Sequence, residues 1–483
     1  MQPGSLSACR PHAVSIDPQP RESMVQCCPS EEATMLYEAE RGDISIAVVG
    51  DAMLSRRLRP FREPDFLKLV ELLRHTDLSI ANLEFLFHNF EHSWQWTRGT
   101  YTRSDPKNLN ELKWMGIDAV FAANNHSYDF SEGGYFTTLK HLDDMDIPHA
   151  GGGQDLDHAR APAYVDSPCG RVAIMSASST FSDISRAGPG RPDFPGRPGI
   201  NALRHQKVHH VPQDVFEALH KANRELGYEA HDEAQAEFGF SGRTKPIDKR
   251  TGVRFLENEF RLAEGFKLET SVNKDDLDGI GKWIRGAKKQ ADWLVYGVHC
   301  HESGTTGEYH GGSRTSPPDF LVEFAHWSID QGCDLFAGHG PHFLRGIEIY
   351  KGAPIFYSLG NFIFQNESID WVPYEGYRRF ELGHDHTPGD FFEARSDAGK
   401  RGFPADPVFW QSVVGVCHYE GKTLKEVKLY PIDMGFGRPI PQRGRPLLAQ
   451  GRVAQETLEW LQHVSAPFGT KITIDGDIGI IRL

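Results

Sequence analysis

Along this chain, short apolar runs alternate with segments whose apolar residues return at helical spacing. "ISIAVVGDAML" reads as a buried strand from Ile44 to Val49 that ends at Gly50 and Asp51. "PDFLKLVELLRHT" places Phe66, Leu69, Val70 and Leu73 on one helical face. "DLSIANLEF" is a second apolar run with a polar end, and "NLNELKWMG" a helix stopped by Gly116. "IDAVFAANNHSYDF" is a strand running into Asn124, Asn125 and His126. "GGYFTTLKHLDDMD" is a helix, "IPHAGGG" a strand and turn, and "RVAIMSASS" another strand. Strand, polar turn and helix in rotation predict a layered α/β domain. The polar groups sit past the C-terminal ends of strands, where open α/β sheets bind ligands.

Residues 182–275 break the rhythm with Gly, Pro and charge, and hold one helical stretch, "PQDVFEALHKANREL". They are expected to form an insertion or cap over the core, not a separate domain. The core pattern resumes with "DDLDGIGKWIRGAKKQADWLVYGVHCHE" and "DLFAGHGPH", followed by a hairpin around Lys351-Gly352 in "IEIYKGAPIFYSL". Residues 366–408 read as a long polar and aromatic loop. Strands from Val413 to Pro431, a helix from Ala454 to His463 and a closing hairpin, "KITIDGDIGIIRL", complete one domain over 41–483. Residues 1–40, polar and rich in Pro and Ser, are expected to be a mobile tail.

Composition narrows the classes of function. A net charge of −14 argues against a nucleic-acid binder, which needs a basic footprint. Seven cysteines without a C-x-x-C pair do not suggest a disulfide framework and fit a reducing compartment. No apolar run is long enough to span a membrane or to form the core of a secretory signal, so a cytoplasmic protein is expected.

Five strand ends carry metal-competent groups: Asp51; Asn82 and Glu84; Asn124, Asn125 and His126; His299, His301 and Glu302; His339 and His342. Carboxylate and amide oxygens suit hard divalent ions, and imidazole suits Zn, Fe, Mn or Ni. Any one of them reads equally well as a turn, cap or core residue. Five in succession point to a one- or two-metal hydrolytic site.

The motifs "VVGDAML", "ANLE", "AANNHSYDFSEGG", "GGG", "RPGINAL", "GHGPHFLRGIEIYKGAPIFYSLGNFIFQ" and "PFGTKI" resemble those of the CapA family, named for a bacterial poly-γ-glutamate capsule protein. The resemblance covers about 44–365 and continues more loosely to the end. That family is similar in turn to the calcineurin-like metallophosphoesterases. The resemblance implies an α/β (α+β) fold of two packed mixed β-sheets flanked by helices, a four-layer sandwich. It implies one or two divalent ions (Mn, Zn, Fe or Mg). Asp51 would hold one ion, Glu84 would bridge, Asn125 and His299 would hold the second, and His339 and His342 would complete the set. His126 would be the acid/base or the transition-state stabiliser. The chain departs from the phosphoesterase pattern at Met53, where a histidine would stand, at Glu84 in place of Asp, and at Gly340, which leaves His339 and His342 three apart. His301 is an additional ligand or substrate contact in a "HCHE" stretch where many relatives have His-Trp-Gly.

Other candidates surround this set. Asp129 either orients the His126 imidazole or caps a helix. His299 is a second candidate for proton transfer, and Asn82 for substrate contact. Arg56, in the basic run "SRRLRPFR", is placed to steer an anionic substrate. The aromatic loops "HSWQWTRGTY" and "QNESIDWVPYEGYRR" either wall a pocket or pack on the surface, and the strand in "YSLGNF" is expected to be scaffold. Three functions follow. The foremost is a metal-dependent hydrolase of a small-molecule or peptide-like substrate, a γ-glutamyl or other amide, or of a phosphoester. The others are a peptide Cα epimerase on the same site and a non-catalytic accessory protein of polymer synthesis or export.

Overall fold

The computed structural model describes residues 42–96, 99–240, 247–305 and 313–483; the expected N-terminal tail lies outside them. Two mixed sheets carry the architecture. The larger has ten strands, with a spine ordered Gln411–Glu420, Ile44–Met53, Leu78–Leu83, Ala119–Phe121, His149–Ala150. The smaller has six, ordered Ile347–Tyr350, Ala353–Phe356, Leu335–His339, Trp293–His299, Gly170–Ser178, Ala163–Ser167.

Side-chain alternation within single strands builds the layers. In the first strand Ile44, Ile46 and Val48 face one way and join Val172, Ile174, Val295 and Leu335 of the second sheet in a shared core. Ala47 and Val49 face the other way. They pack under the helices Pro64–His75, Leu109–Met115 and Ser131–Asp144, through Leu69, Leu112 and Leu139. In the second sheet Ala173, Met175, Leu294 and Tyr296 face outward onto the helices Lys274–Ala287 and Asp319–Asp330, through Ile280, Ile284 and Phe324. The result is helix, sheet, sheet, helix. The strands are apolar on both faces because both faces are covered.

Three features position the site. The first strand pairs with Gln411–Glu420 along Ile44–Val48, then with Asn361–Phe364 along Asp51–Met53, and at the changeover its register against Leu78–Leu83 shifts. The strands Leu78–Leu83 and Ala119–Phe121 run parallel to it, so their C-terminal ends reach the same rim. In the second sheet Gly170–Ser178, Trp293–His299 and Leu335–His339 are parallel and in register, with Ser178 beside His299 and His299 beside His339.

Two segments hold more structure than their sequence predicts. Within 182–275 the expected helix forms as Gln213–Glu225. Beside it stands a four-stranded sheet of Gly252–Phe255, Asn258–Leu262, His205–Val211 and Lys267–Val272. It has a small core of Val211, Phe216 and Val253 and docks on the helix Asp319–Asp330, where Thr270 Oγ1 accepts from the Phe320 N–H at 3.1 Å. Its strands are half exposed and read as polar, as in "HQKVHH", so apolar periodicity could not reveal them. In 366–408 the helices Tyr374–Arg378 and Pro388–Ser396 stand where a loop was expected. The second buries two adjacent phenylalanines, Phe391 and Phe392, which give no helical stripe. A capping box between Thr387 and Asp390, with Pro388 at the first turn, was its readable signal. Among the described residues no helix is long and apolar enough to cross a membrane, and the four described cysteines are buried and free.

Candidate metal centre

Asp51 lies on the first strand and is fully buried. Its Oδ1 accepts from Asn82 Nδ2 at 2.8 Å, and its Oδ2 accepts from the Gly340 N–H at 3.3 Å. Three histidines surround it: His342 Nδ1 at 3.3 Å, His299 Nδ1 at 3.7 Å and His339 Nδ1 at 3.8 Å. His299 and His339 are register neighbours on parallel strands, which brings their Nδ1 atoms to 3.1 Å. Gly340, at φ +123°, turns the chain so that His342 re-enters the same rim. Glu84, just past its strand, is also fully buried; its Oε1 is 3.7 Å from His299 Nε2 and its Oε2 is 3.9 Å from His342 Nδ1.

His126 completes the rim. Its Nδ1 is 2.7 Å from Asp129 Oδ2, which also accepts from the Thr102 N–H at 2.7 Å and the Thr102 hydroxyl at 3.2 Å. Asp129 as acceptor places the proton on Nδ1 and leaves Nε2, 3.9 Å from Glu84, as the exchanging nitrogen. Asn124 is occupied locally: it donates to the Leu83 carbonyl and accepts from the His126 N–H.

The polar atoms that converge here have too few protein partners. Both carboxylate oxygens of Glu84, His299 Nε2, His339 Nε2, His301 Nε2, Asn125 Oδ1 and Asn82 Oδ1 are buried without a hydrogen bond. More than nine in ten buried polar groups are ordinarily satisfied, so this concentration calls for a further positive group. Ligand atoms of Asp51, His299 and His339, of Glu84, His299 and His301, and of Asp51, Glu84 and His342 lie within 4.8 Å of one another in each set. These buried groups could hold a metal ion, and the mixed oxygen and imidazole donors suit Mn, Fe or Zn.

The protonation states agree with that fit. Burial pushes the Asp51 carboxyl up, but the hydrogen bond and charge of His342, with His339 and Asn82, outweigh it and hold it below the usual value. Burial and then the charge of Asp51 push Glu84 well above the carboxylate range. Burial, followed by its histidine neighbours, holds His299 well below 6.5. Burial takes His339 down to about 4 despite Asp51. Neutral imidazoles are the ligand form. In the metal-free protein His339 and His299 therefore favour the fold less as pH falls, while Glu84, whose carboxyl is raised, favours it more. His339 is neutral in the fold and titrates near 6.5 when unfolded, so its contribution is intact above 6.5 and is lost as pH falls through its folded value. At about pH 5 that is a loss of on the order of 2 kcal/mol for His339, with His299 adding in the same direction. Urea unfolding in EDTA at neutral and mildly acidic pH measures it by difference: the stability of His339→Asn relative to the parent should rise by about that amount on acidification, and a difference that does not change with pH would refute the assignment.

Two candidates stand elsewhere. Arg56 donates to the Pro441, Ile440 and Arg443 carbonyls and borders a different cavity. Its guanidinium is held by a loop and not presented to the cluster. Asn82, considered as a substrate contact, gives its amide to Asp51 and lies 3.2 Å from His299 Nδ1, inside the cluster. One direct partner went unread: Asn361, on the "YSLGNF" strand expected to be scaffold, accepts from His342 Nδ1 at 2.9 Å and donates to the His342 and Phe409 carbonyls.

A cavity of about 410 Å³ opens over the cluster. His126, His301 and His342 form its floor, and Met53 lines it where the phosphoesterase pattern has histidine. Thr100, from the first aromatic loop, and Glu367, Phe392, Arg395, Arg401 and Phe403, from the 366–408 segment, form its wall.

The model of the family described as bacterial capsule synthesis protein PGA_cap matches residues 45–366. An uncharacterized protein of Sinorhizobium fredii, y4sH, is 35% identical over 457 residues, 91% of this chain and 93% of its own. The capsule biosynthesis protein CapA of Bacillus anthracis is 22% identical over 346 residues, 69% of this chain and 63% of its own. A probable polyglutamine synthesis accessory protein of Mycobacterium tuberculosis is 25% identical over 268 residues, 55% of this chain and 50% of its own.

Proposed function

The chain belongs to the bacterial capsule synthesis protein PGA_cap family, and from that premise we propose that it is a metal-dependent hydrolase of a peptide-like amide or a phosphoester. One observation carries the reading: unpartnered buried donor atoms of Glu84, His299, His339 and His301 meet beneath a cavity of ligand size. Asp51, Glu84, Asn125, His299, His339 and His342 would hold one or two divalent ions. A bound ion would supply a positive charge that polarises a carbonyl or phosphoryl oxygen and eases loss of a proton from water.

The chain's own groups supply the rest. His126 lines the cavity with Nε2 free to take or give a proton, and Asp129 fixes its tautomer and orientation. His299 is fully buried with Nδ1 between His339 and Asn82, which suits a ligand better than a proton carrier. Asn82 and Asn361 hold Asp51 and His342 in place.

Metal analysis of the purified protein is expected to find one or two divalent ions per chain. Asp51→Ala and His342→Ala should lower that content, and unchanged content in both would reject the site. Incubation with γ-glutamyl peptides, N-acyl amino acids and phosphoesters, with each metal in turn, should give cleavage products that His126→Gln abolishes. The accessory-protein name of the mycobacterial relative favours a second reading, metal and ligand binding without turnover. Full metal content with no cleavage of any of these substrates would select it.

A further inference from the structure

The pocket above the cluster has two origins. Its floor comes from the segment that matches the family model. Most of its wall, from Glu367 to Phe409, comes from beyond residue 366, where that match ends. The wall is the part of the site that the family resemblance does not describe, and its chemistry differs from that of the floor. Phe392, Phe403 and Phe409, joined by Met53 and Phe343 from the matched segment, make the cavity largely apolar and aromatic.

Within that wall one cation lacks an anion. Arg395, half-buried on the helix Pro388–Ser396, donates to the Thr100 hydroxyl and sits with Cζ 5.9 Å from the centre of the Phe403 ring. Among the described residues no carboxylate lies within ion-pair distance of it. The carboxylate sharing the cavity, Glu367, attracts it from beyond that distance and is itself ion-paired with Arg443. Arg445 is likewise paired, with Glu63. Arg401 differs: its side chain is 80% exposed and reaches only Asp397, at 3.8 Å. A partly desolvated guanidinium flanked by a hydroxyl and an aromatic face, and facing a cavity, is a site for a planar or tetrahedral oxyanion.

We propose that this cavity selects a small substrate carrying one oxyanion, a carboxylate or a phosphate, beside an apolar group, with Arg395 binding the oxyanion. This rests on the reading of the cluster as the reacting centre. A chain of acidic units has no apolar side group to fill the aromatic wall, and a volume of about 410 Å³ holds a molecule of one or two residues. Arg395 is thus a specificity residue: it orients the substrate so that a bond to its acyl or phosphoryl centre lies over His126 and His301.

The test is equilibrium binding to the full-length protein as purified, by isothermal titration calorimetry, which needs no turnover. The probes are N-acetylphenylalanine, its neutral amide, phenyl phosphate and a γ-glutamate tetramer. At least one of the two small anions should bind ten-fold or more tighter than the neutral amide, and whichever does so identifies the oxyanion. That preference should disappear in Arg395→Gln and persist in part in Arg395→Lys, with far-UV circular dichroism confirming that both fold. Phe403→Ala, which keeps every charge, should weaken the small anion but not the tetramer. Equal binding of anion and neutral amide, an anion preference that survives Arg395→Gln, or a tetramer that binds tighter than both small anions would overturn the proposal. Binding that depends on Arg395 in a protein that cleaves nothing would refute the hydrolase reading and leave this one standing.

Discussion

Glu84→Gln should leave the metal-free protein at least as stable as the parent, by up to about 2 kcal/mol more, while weakening metal binding more than about 100-fold. The two effects have one cause. Glu84 is fully buried, neither of its oxygens has a hydrogen-bond partner, and Asp51 is its charged neighbour. Burial and that neighbour raise its pKa, so ionising it in the fold is costly. A carboxyl of raised pKa contributes most below its unfolded value of 4.5, and that contribution is lost as pH rises through the folded value. Glutamine removes the dependence, so the advantage of the variant grows with pH. With metal present the ranking inverts, because the amide cannot offer a negative charge. Urea unfolding in EDTA, at about pH 6 and about pH 8, and thermal unfolding with added Mn or Zn give both halves. A variant that loses several kcal/mol in EDTA would mean that Glu84 is a structural anchor and not a strained ligand. A centre that destabilises its own fold until it is filled is the pattern expected of function and not of packing.

The second large effect is at Gly50, where alanine should cost more than about 4 kcal/mol and remove most of the soluble protein. A Cβ built there lies 1.8 Å from the Gly360 carbonyl oxygen and 2.7 Å from its carbon. Both partners are backbone, and Gly360 also accepts from the Asp51 N–H at 2.9 Å. No side chain can rotate away, so the first strand must part from Asn361–Phe364 where Asp51 is positioned. Gly286 is the control. It lies in the helix Lys274–Ala287 with nothing within 4 Å of an added Cβ, and Gly286→Ala should stabilise by about 0.5–1 kcal/mol. A Gly50→Ala protein with the parent's urea midpoint would refute the close approach.

What could be read in the sequence follows from burial. Strands covered on both faces, such as Ile44–Met53 and Trp293–His299, are long apolar runs that break at a charged or polar residue near their C-terminal ends, so Asp51, two residues before its strand ends, and His299 could be located from the chain alone. The half-exposed strands of 205–272 carry no such run and passed as irregular. Pairing across the fold left no local trace either. Asn361 meets His342 only because the chain turns back after Phe356, and Arg56 turns to the carbonyls of 440–443 because that loop arrives from nearly 400 residues away. Arg395 was invisible for a third reason: its role depends on a carboxylate that is not beside it. Sequence patterns report what a residue is, not which of its neighbours is missing.

The changeover at the end of the first strand also sets a timetable. Asp51 accepts from Gly340, 289 residues later, and the backbone of Ser55 is tied to Gln365, 310 residues later. At the usual rate of about 5–20 residues per second, a ribosome needs on the order of 15–60 s between making Asp51 and making the loop that pairs with it. For most of that interval the growing chain displays Asp51 and Glu84 without His299, His339 and His342. Whatever ion it meets then, it can hold only loosely. With an ion held as proposed, selection among metals would fall to the finished protein, and the supply of ion when synthesis ends, not when it begins, would decide which molecules are filled.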